Sequence, residues 1–213
     1  MKRFLIIGLI LSAAGLHAQV FPQDNWYVGE VTLTTGDTKK GVIKYDLTAN
    51  SIQINSDDRT ETYHANQFYT FQIFMKKEKI MRYFYVLPHA NESGYKRPTI
   101  FELIYEGKIS LLAREYIATR SINNSSGLYG NGFNDFTNPY SRTFRQQYLA
   151  FKLFLVDNQG RITVLNSKKN DVVAALGNHQ KEMKRFIKDK KLKMDNVMDM
   201  AELIEFYNQV DSI

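Results

Sequence analysis

The chain has 213 residues, 44% of them hydrophobic, with no cysteine and a formal net charge of +6. The lack of cysteine excludes disulfides, thiolate catalysis and thiolate metal sites together. The apolar content is too high for a disordered chain, and the length suffices for one domain with a sizeable core.

The N-terminus reads as an export signal. Met1, Lys2 and Arg3 form a short basic region, Phe4 to Leu11 are apolar, and Ser12-Ala13-Ala14-Gly15 lead to Leu16-His17-Ala18 before Gln19. This tripartite order predicts a signal peptide over 1–18, cleavage after Ala18 and a single β-rich domain over 19–213. Ser12 and His17 interrupt the apolar run, which falls short of the ~20 residues a span needs. Loss of Lys2 and Arg3 leaves +4 on the mature chain. Later hydrophobic stretches are short or alternating, so no membrane span is expected after cleavage. The expected location is the periplasm or the cell exterior. There the basic charge favours anionic envelope surfaces over nucleic acid, with a solvated basic surface as the plainer reading.

From Trp26 to Leu165 the pattern is β. Tyr27, Val31 and Leu33 share one side of a first strand, Thr35-Gly36-Asp37 turns, and Ile43, Tyr45 and Leu47 alternate along a second. Ile52 and Ile54 mark a third, and Asn55-Ser56-Asp57-Asp58 a turn. Strands over Thr60–Tyr63, Phe68–Met75 and Ile80–Leu87 follow, and 88–98 reads as a connection. Thr99–Tyr105 and Ile109–Tyr116 form the clearest hairpin. Its first strand is apolar on both faces, which predicts a central strand covered on two sides. The segment 119–142, rich in Asn, Ser and Gly, reads as a long loop. Thr143–Val156 and Arg161–Leu165 complete about ten strands.

The period then becomes helical, predicting helices over 170–190 and 195–209, with Asn170 as N-cap of the first and Gly177 as its weak point. Residues 167–193 carry +6 and residues 194–213 carry −5, so a charge-complementary antiparallel pair packed on the sheet is expected. The fold class is therefore α+β: an antiparallel β meander, as a sandwich or partly closed barrel, followed by a C-terminal helical pair.

The run Gly36-Asp37-Thr38-Lys39-Lys40-Gly41-Val42-Ile43 resembles a turn signature of uncharacterised exported β-rich proteins of the Bacteroidota. The C-terminal order is similar too: a basic helix, Lys191-Leu192-Lys193, then an acidic helix ending Phe206-Tyr207-Asn208. The resemblance implies a Gram-negative envelope or secreted location and supplies no catalytic residues. Within the motif, Asp37 is expected to bond turn amides, and Gly36 and Gly41 to adopt φ values that other residues resist.

No motif points to a cofactor. His64, His89 and His179 lack metal-ligand spacing, and there is no HExxH, GxSxG or SxxK. The glycine-rich 127–132 lacks the Lys-Ser/Thr of a P-loop, and Asp157-Asn158-Gln159-Gly160 reads as a hairpin turn. Catalytic, metal and cofactor residues are thus none. Glu102 shares a face with Ile100 and Ile104 and is expected to be partly buried, ion-paired with Arg114 in the favoured structural reading, with an acid of raised pKa as the alternative. Leu128, Tyr129, Phe133, Phe136 and Tyr140 are the candidate partner-binding residues, being aromatic or apolar anchors on a pliable backbone suited to a protein or glycan. The leading functional reading is a non-catalytic exported envelope protein that binds or scaffolds another macromolecule. A carrier with an apolar β-barrel cavity and an unrecognised hydrolase stand as alternatives.

Overall fold

The computed structural model describes residues 21–90, 94–123 and 143–211. The signal segment 1–18 and the loop anchors Leu128, Tyr129, Phe133, Phe136 and Tyr140 lie outside these residues. After a 3₁₀ turn at Pro22–Asp24, ten strands follow in chain order: β1 (Tyr27–Leu33), β2 (Thr38–Asp46), β3 (Ser51–Ser56), β4 (Arg59–His64), β5 (Phe68–Met75), β6 (Ile80–Ala90), β7 (Lys96–Tyr105), β8 (Ser110–Asn123), β9 (Thr143–Val156) and β10 (Ile162–Leu165). All belong to one antiparallel sheet in the order β10-β9-β8-β7-β6-β5-β1-β2-β3-β4. Three helices close the chain: α1 (Lys169–Leu176), α2 (Gln180–Lys190) and α3 (Val197–Val210). The expected α+β class with a C-terminal helical layer is what the chain adopts.

One face of this sheet carries the two largest apolar clusters, and it is covered in two ways. Over β1 to β7 the sheet curls on itself, so that Val31, Ile43, Tyr45, Ile54, Phe71 and Phe84 meet in one core. Phe71 and Phe84 stack at 4.3 Å, and the interior is filled by such side chains. Over β8 to β10 the same face is covered by the helices, whose Val173, Met183, Leu203 and Ile204 pack on Leu111, Leu153, Leu155 and Leu165. The opposite face of β7 is also closed, by Phe101 against Leu112 and Phe154. β7 is thus the central strand covered on both sides that its composition predicts.

Several expectations are corrected. Residues 88–98 are mostly strand rather than connection: Pro88 sits opposite Pro98 and His89 opposite Arg97. Both prolines are tolerated because β6 has run past β5 there and β7 has parted from β8, so neither missing N–H interrupts a ladder. Residues 119–123 continue β8 rather than starting a loop. The first expected helix, 170–190, is two helices, because Gly177 takes a φ of +79° and ends α1. The residue preceding α1 is Lys168, not Asn170, and Asn196 caps α3 by accepting from the amides of Met198 and Asp199. In the turn motif, Asp37 accepts from the Thr35 hydroxyl instead of bonding turn amides. Gly36 has the expected positive φ, whereas Gly41 is needed for space. A Cβ there would lie 2.2 Å from the Asn55 carbonyl oxygen, and one on its cross-strand partner Gly29 would lie 2.2 Å from that of Gln72.

α2 and α3 are neighbours, as their charges suggest. Phe186 stacks on Phe206 at 4.0 Å, and Lys190 approaches Glu202 at 3.4 Å. The end of α3 is fastened to the β7–β8 turn. The Asn208 side chain accepts from the Ile109 amide and donates to the Ile109 carbonyl, each at 2.8 Å, and Lys108 pairs with Asp211. Among the described residues no helix is long and apolar enough to cross a membrane.

Candidate functional site

The sheet forks between β7 and β8. The two strands pair only from Glu102 opposite Ala113 to Tyr105 opposite Leu111. Beyond that point β7 runs on with β6 alone to Lys96, and β8 runs on with β9 alone as a two-stranded ribbon to Asn123. The β2–β3 turn plugs the fork. Arg114 donates to the Leu47 carbonyl and, at 3.3 Å, to Asn50 Oδ1, which also accepts from the Ile100 amide at 3.1 Å. The Ile100 amide, which β8 would otherwise accept from, is satisfied this way. Asn50 pays for its place with a φ of +50°, a conformation asparagine tolerates better than most residues.

Beneath the plug lies a buried charge cluster, on the shared apolar face where the curled core meets the helix-covered core. Arg82 grips Glu102 through two hydrogen bonds of 2.5 and 2.6 Å, reaches Glu115 at 3.1 Å, and donates to the Tyr45 hydroxyl at 2.9 Å. Tyr45 in turn donates to Glu115. All four residues are buried. Burial opposes the guanidinium charge, but the hydrogen bonds and charge of Glu102, with that of Glu115, outweigh it and hold Arg82 above the ordinary arginine value. Burial also pushes the Tyr45 phenol upward; Glu115 adds to this and Arg82 offsets part of it. The sequence placed Glu102 on the right face but gave it the wrong cation. Arg114 points to the opposite face of the hairpin, while Arg82 on β6 shares the face with Glu102. Two carboxylates do converge, but on a common arginine, in a closed set whose polar atoms satisfy one another. This cluster fastens the curled half to the fork.

Above the fork opens a cleft of about 820 Å³. Its walls are His89 and Arg97 from β6 and β7, and Arg114, Tyr116 and Lys152 from β8 and β9. Leu47, Phe154 and Val164 give it an apolar floor. His89 stands directly opposite Arg97, and Arg114 directly opposite Lys152. Each wall therefore carries a cross-strand pair of basic side chains, and the like-charged pair of Arg114 with Lys152 costs stability when nothing compensates it. Among the described residues no carboxylate forms an ion pair with Arg97, Arg114 or Lys152. Glu115 also borders the cleft, but both its oxygens are engaged by Tyr45 and Arg82.

The basic groups feel one another. Burial lowers the His89 pKa, and the charges of Arg114 and Lys152 lower it further. Burial lowers Arg114 too, with a contribution from Arg97 across the fork. His89 is held edge-on to Phe101 and Phe154, with ring centroids 5.5 and 5.3 Å away, and the Arg114 guanidinium lies over the Phe101 ring at 5.8 Å. The cleft thus has His89 and Arg114 held in place, exposed Arg97 and Lys152 opposite them, an apolar floor and an excess of positive charge.

Of the three histidines singled out in the sequence, only His89 lines this cleft. His64 ends β4, and His179 lies 3.5 Å from Asp211 beside α3. Among the described residues no cluster of three or more potential metal ligands occurs. Sequence reasoning missed Arg97 and Lys152. The period-2 spacing of Arg114 with Tyr116, and of Lys152 with Phe154, shows that each pair shares a face, but not that the two strands pair in register. Comparison with protein-family models, curated proteins and solved structures finds no significant match.

Proposed function

We propose that this protein is a non-catalytic exported binding protein of the bacterial envelope, which takes hold of an anionic group on another macromolecule in the fork cleft. The observation that carries the reading is the pair of opposed basic rungs, His89 with Arg97 and Arg114 with Lys152, left without acidic partners among the described residues. Such a site attracts an anion because the cations are already gathered, with Arg114 partly buried and Arg97 and Lys152 exposed at the rim. The apolar floor gives the ligand a surface to rest on, and the rigid strands preorganise the contact. Export rests on the order of residues 1–18, and an envelope location would supply anionic polymers in abundance.

Two measurements test this. Mass spectrometry of the exported product should find Gln19 at its N-terminus. Titration of the mature protein with citrate as a polyanionic probe should show saturable binding that weakens with salt and vanishes in Lys152→Glu. Retention of the 1–18 segment would remove the export reading, and citrate binding unaffected by Lys152→Glu would remove the cleft.

A further inference from the structure

The basic rung at the fork is the first of a series along one face of the β8–β9 ribbon. Successive pairs on that face are Arg114 opposite Lys152, Tyr116 opposite Ala150, Ala118 opposite Tyr148, and Arg120 opposite Gln146. The face therefore reads cation, tyrosine, tyrosine, cation, with steps of about 7 Å and a total run of about 20 Å. Each tyrosine faces an alanine across the ladder, so no large side chain opposite covers its ring; Tyr116 is 47% and Tyr148 38% exposed. Arg120 is held by two hydrogen bonds to Gln146, and its guanidinium lies over the Tyr148 ring, 5.5 Å from the centre, so a ligand must meet that ring on its remaining exposed surface. Its partners are neutral, so its charge remains available.

We infer that this face is a track for a linear acidic glycan, with Tyr116 and Tyr148 stacking on sugar rings while Arg114 with Lys152 at one end and Arg120 at the other hold carboxylates. The inference rests on the anion-binding reading of the fork cleft and names the class of its ligand. The chemistry matches on both counts. A pyranose offers a face of C–H bonds that packs on an aromatic ring, and a uronic acid adds a carboxylate at its edge, suited to the fork of a guanidinium. Phenol hydroxyls at the rim can also bond sugar hydroxyls. A lipid surface would call for projecting aliphatic side chains, and the ribbon face offers tyrosine and alanine instead. A single-stranded nucleic acid shares the alternation of stacking and charge, but the export signal read in residues 1–18 favours the glycan.

The test is calorimetric titration of the mature protein with an oligogalacturonate, a neutral oligosaccharide of equal length, citrate and an oligodeoxynucleotide. It is repeated with Tyr116→Ala, Tyr148→Ala and Lys152→Glu, each checked for an unchanged melt. The expected result is oligogalacturonate binding, weakened about tenfold or more by each tyrosine variant, lost with Lys152→Glu, and absent for the neutral sugar. If citrate and oligogalacturonate bind in a Lys152-dependent way but neither tyrosine variant changes affinity, the cleft stands and the glycan track is overturned. If the oligonucleotide binds more tightly and with the same tyrosine dependence, the ligand class is overturned. If no anion binds, the cleft reading and the track fall together.

Discussion

Arg114 and Lys152 stand directly opposite each other on one face of the sheet, and no carboxylate among the described residues forms an ion pair with either. A like-charged cross-strand pair should cost stability. Replacing Lys152 with Gln should therefore leave the melting temperature unchanged or raise stability by up to about 1 kcal/mol, while abolishing citrate binding. Urea titrations at low and moderate salt check the first part, and the difference from the parent protein should shrink with salt. A clear loss of stability in Lys152→Gln would mean that the lysine has a structural partner and that the cleft is not waiting for an anion.

His89 gives the same site a pH dependence. Its pKa is depressed by burial and by Arg114 and Lys152. Arg97 faces it from β7, and Glu115 borders the cleft while remaining bonded to Arg82 and Tyr45. Above the ordinary histidine value of about 6.5 the imidazole is neutral in both folded and unfolded chains and contributes nothing. As pH falls below that value the unfolded chain takes up the proton first, so stability should decline toward the lower folded pKa. A bound polyanion reverses the sign at this site, because it favours the imidazolium. Affinity for sulfate, whose charge stays constant in this range, should thus rise as pH falls from about 7.5 to 6, and His89→Gln should flatten both profiles.

The buried cluster separates structural from functional charge. Arg82→Met leaves Glu102 and Glu115 buried without their cation and should cost about 3–5 kcal/mol in a denaturant melt. Tyr45→Phe removes one hydroxyl that both accepts from Arg82 and donates to Glu115, and should cost about 1–3 kcal/mol. Because the Tyr45 pKa is raised in the folded state, its contribution is complete below the ordinary tyrosine value of about 10 and is lost as pH climbs beyond it. Alkaline unfolding should therefore be less steep in Tyr45→Phe. Replacing Arg82, Glu102 and Glu115 together by apolar residues should recover much of the loss from Arg82→Met. Failure of that recovery would show that the cluster specifies the joint between the two cores as well as neutralising itself.

The two motif glycines make opposite demands. Gly36→Ala meets nothing within 4 Å and pays only for its φ of +93°, roughly 1–2 kcal/mol. Gly41→Ala drives a Cβ against the Asn55 carbonyl, and Gly29→Ala does the same against that of Gln72. Neither backbone can yield without disturbing a ladder, so both should cost more than Gly36→Ala, about 3 kcal/mol or above. Thermal melts of the three variants decide the order; a Gly41→Ala no worse than Gly36→Ala would mean that the strands can spread at that rung.

Most of the fold was legible because its strands alternate. Ile43 and Tyr45, and Ile52 and Ile54, announce their faces by period alone, and the basic-then-acidic charge of the C-terminal segments announces the neighbouring helices. What was not legible depends on pairing. β1 inserts between β2 and β5, which no local pattern encodes, and Glu102 finds Arg82 only because β6 lies beside β7. The prolines at 88 and 98 misled for a physical reason: they mark a loop when strands are paired on both sides, and here one side of each was open. The cleft stayed hidden because a fork is the place where expected pairing stops. His89, Arg97, Arg114 and Lys152 come from four strands, and only the register brings them into two opposed rungs.

The helical layer offers the last test, because among the described residues it is what covers the sheet beneath it. α1 to α3 lie over Leu111, Ala113, Leu153, Leu155 and Leu165, all buried on one continuous face. At about 25 cal/mol per Å² of apolar surface removed from water, uncovering five such positions costs several kcal/mol, comparable with the whole stability of a domain. The ion pairs between helices are exposed and contribute little by comparison. Deleting residues 168–213 should therefore give insoluble or unfolded protein. A gentler variant isolates the clamp. Asn208→Leu removes the two hydrogen bonds to Ile109 while keeping apolar bulk, and should cost about 1–3 kcal/mol with the helices still formed. Circular dichroism should then show native helix content with a lower melting temperature. If the deleted chain stays soluble and melts cooperatively, the sheet is self-sufficient and the helices are an appendage. If Asn208→Leu melts like the parent protein, the Asn208 bonds to Ile109 are dispensable, and burial with the Lys108–Asp211 pair holds α3.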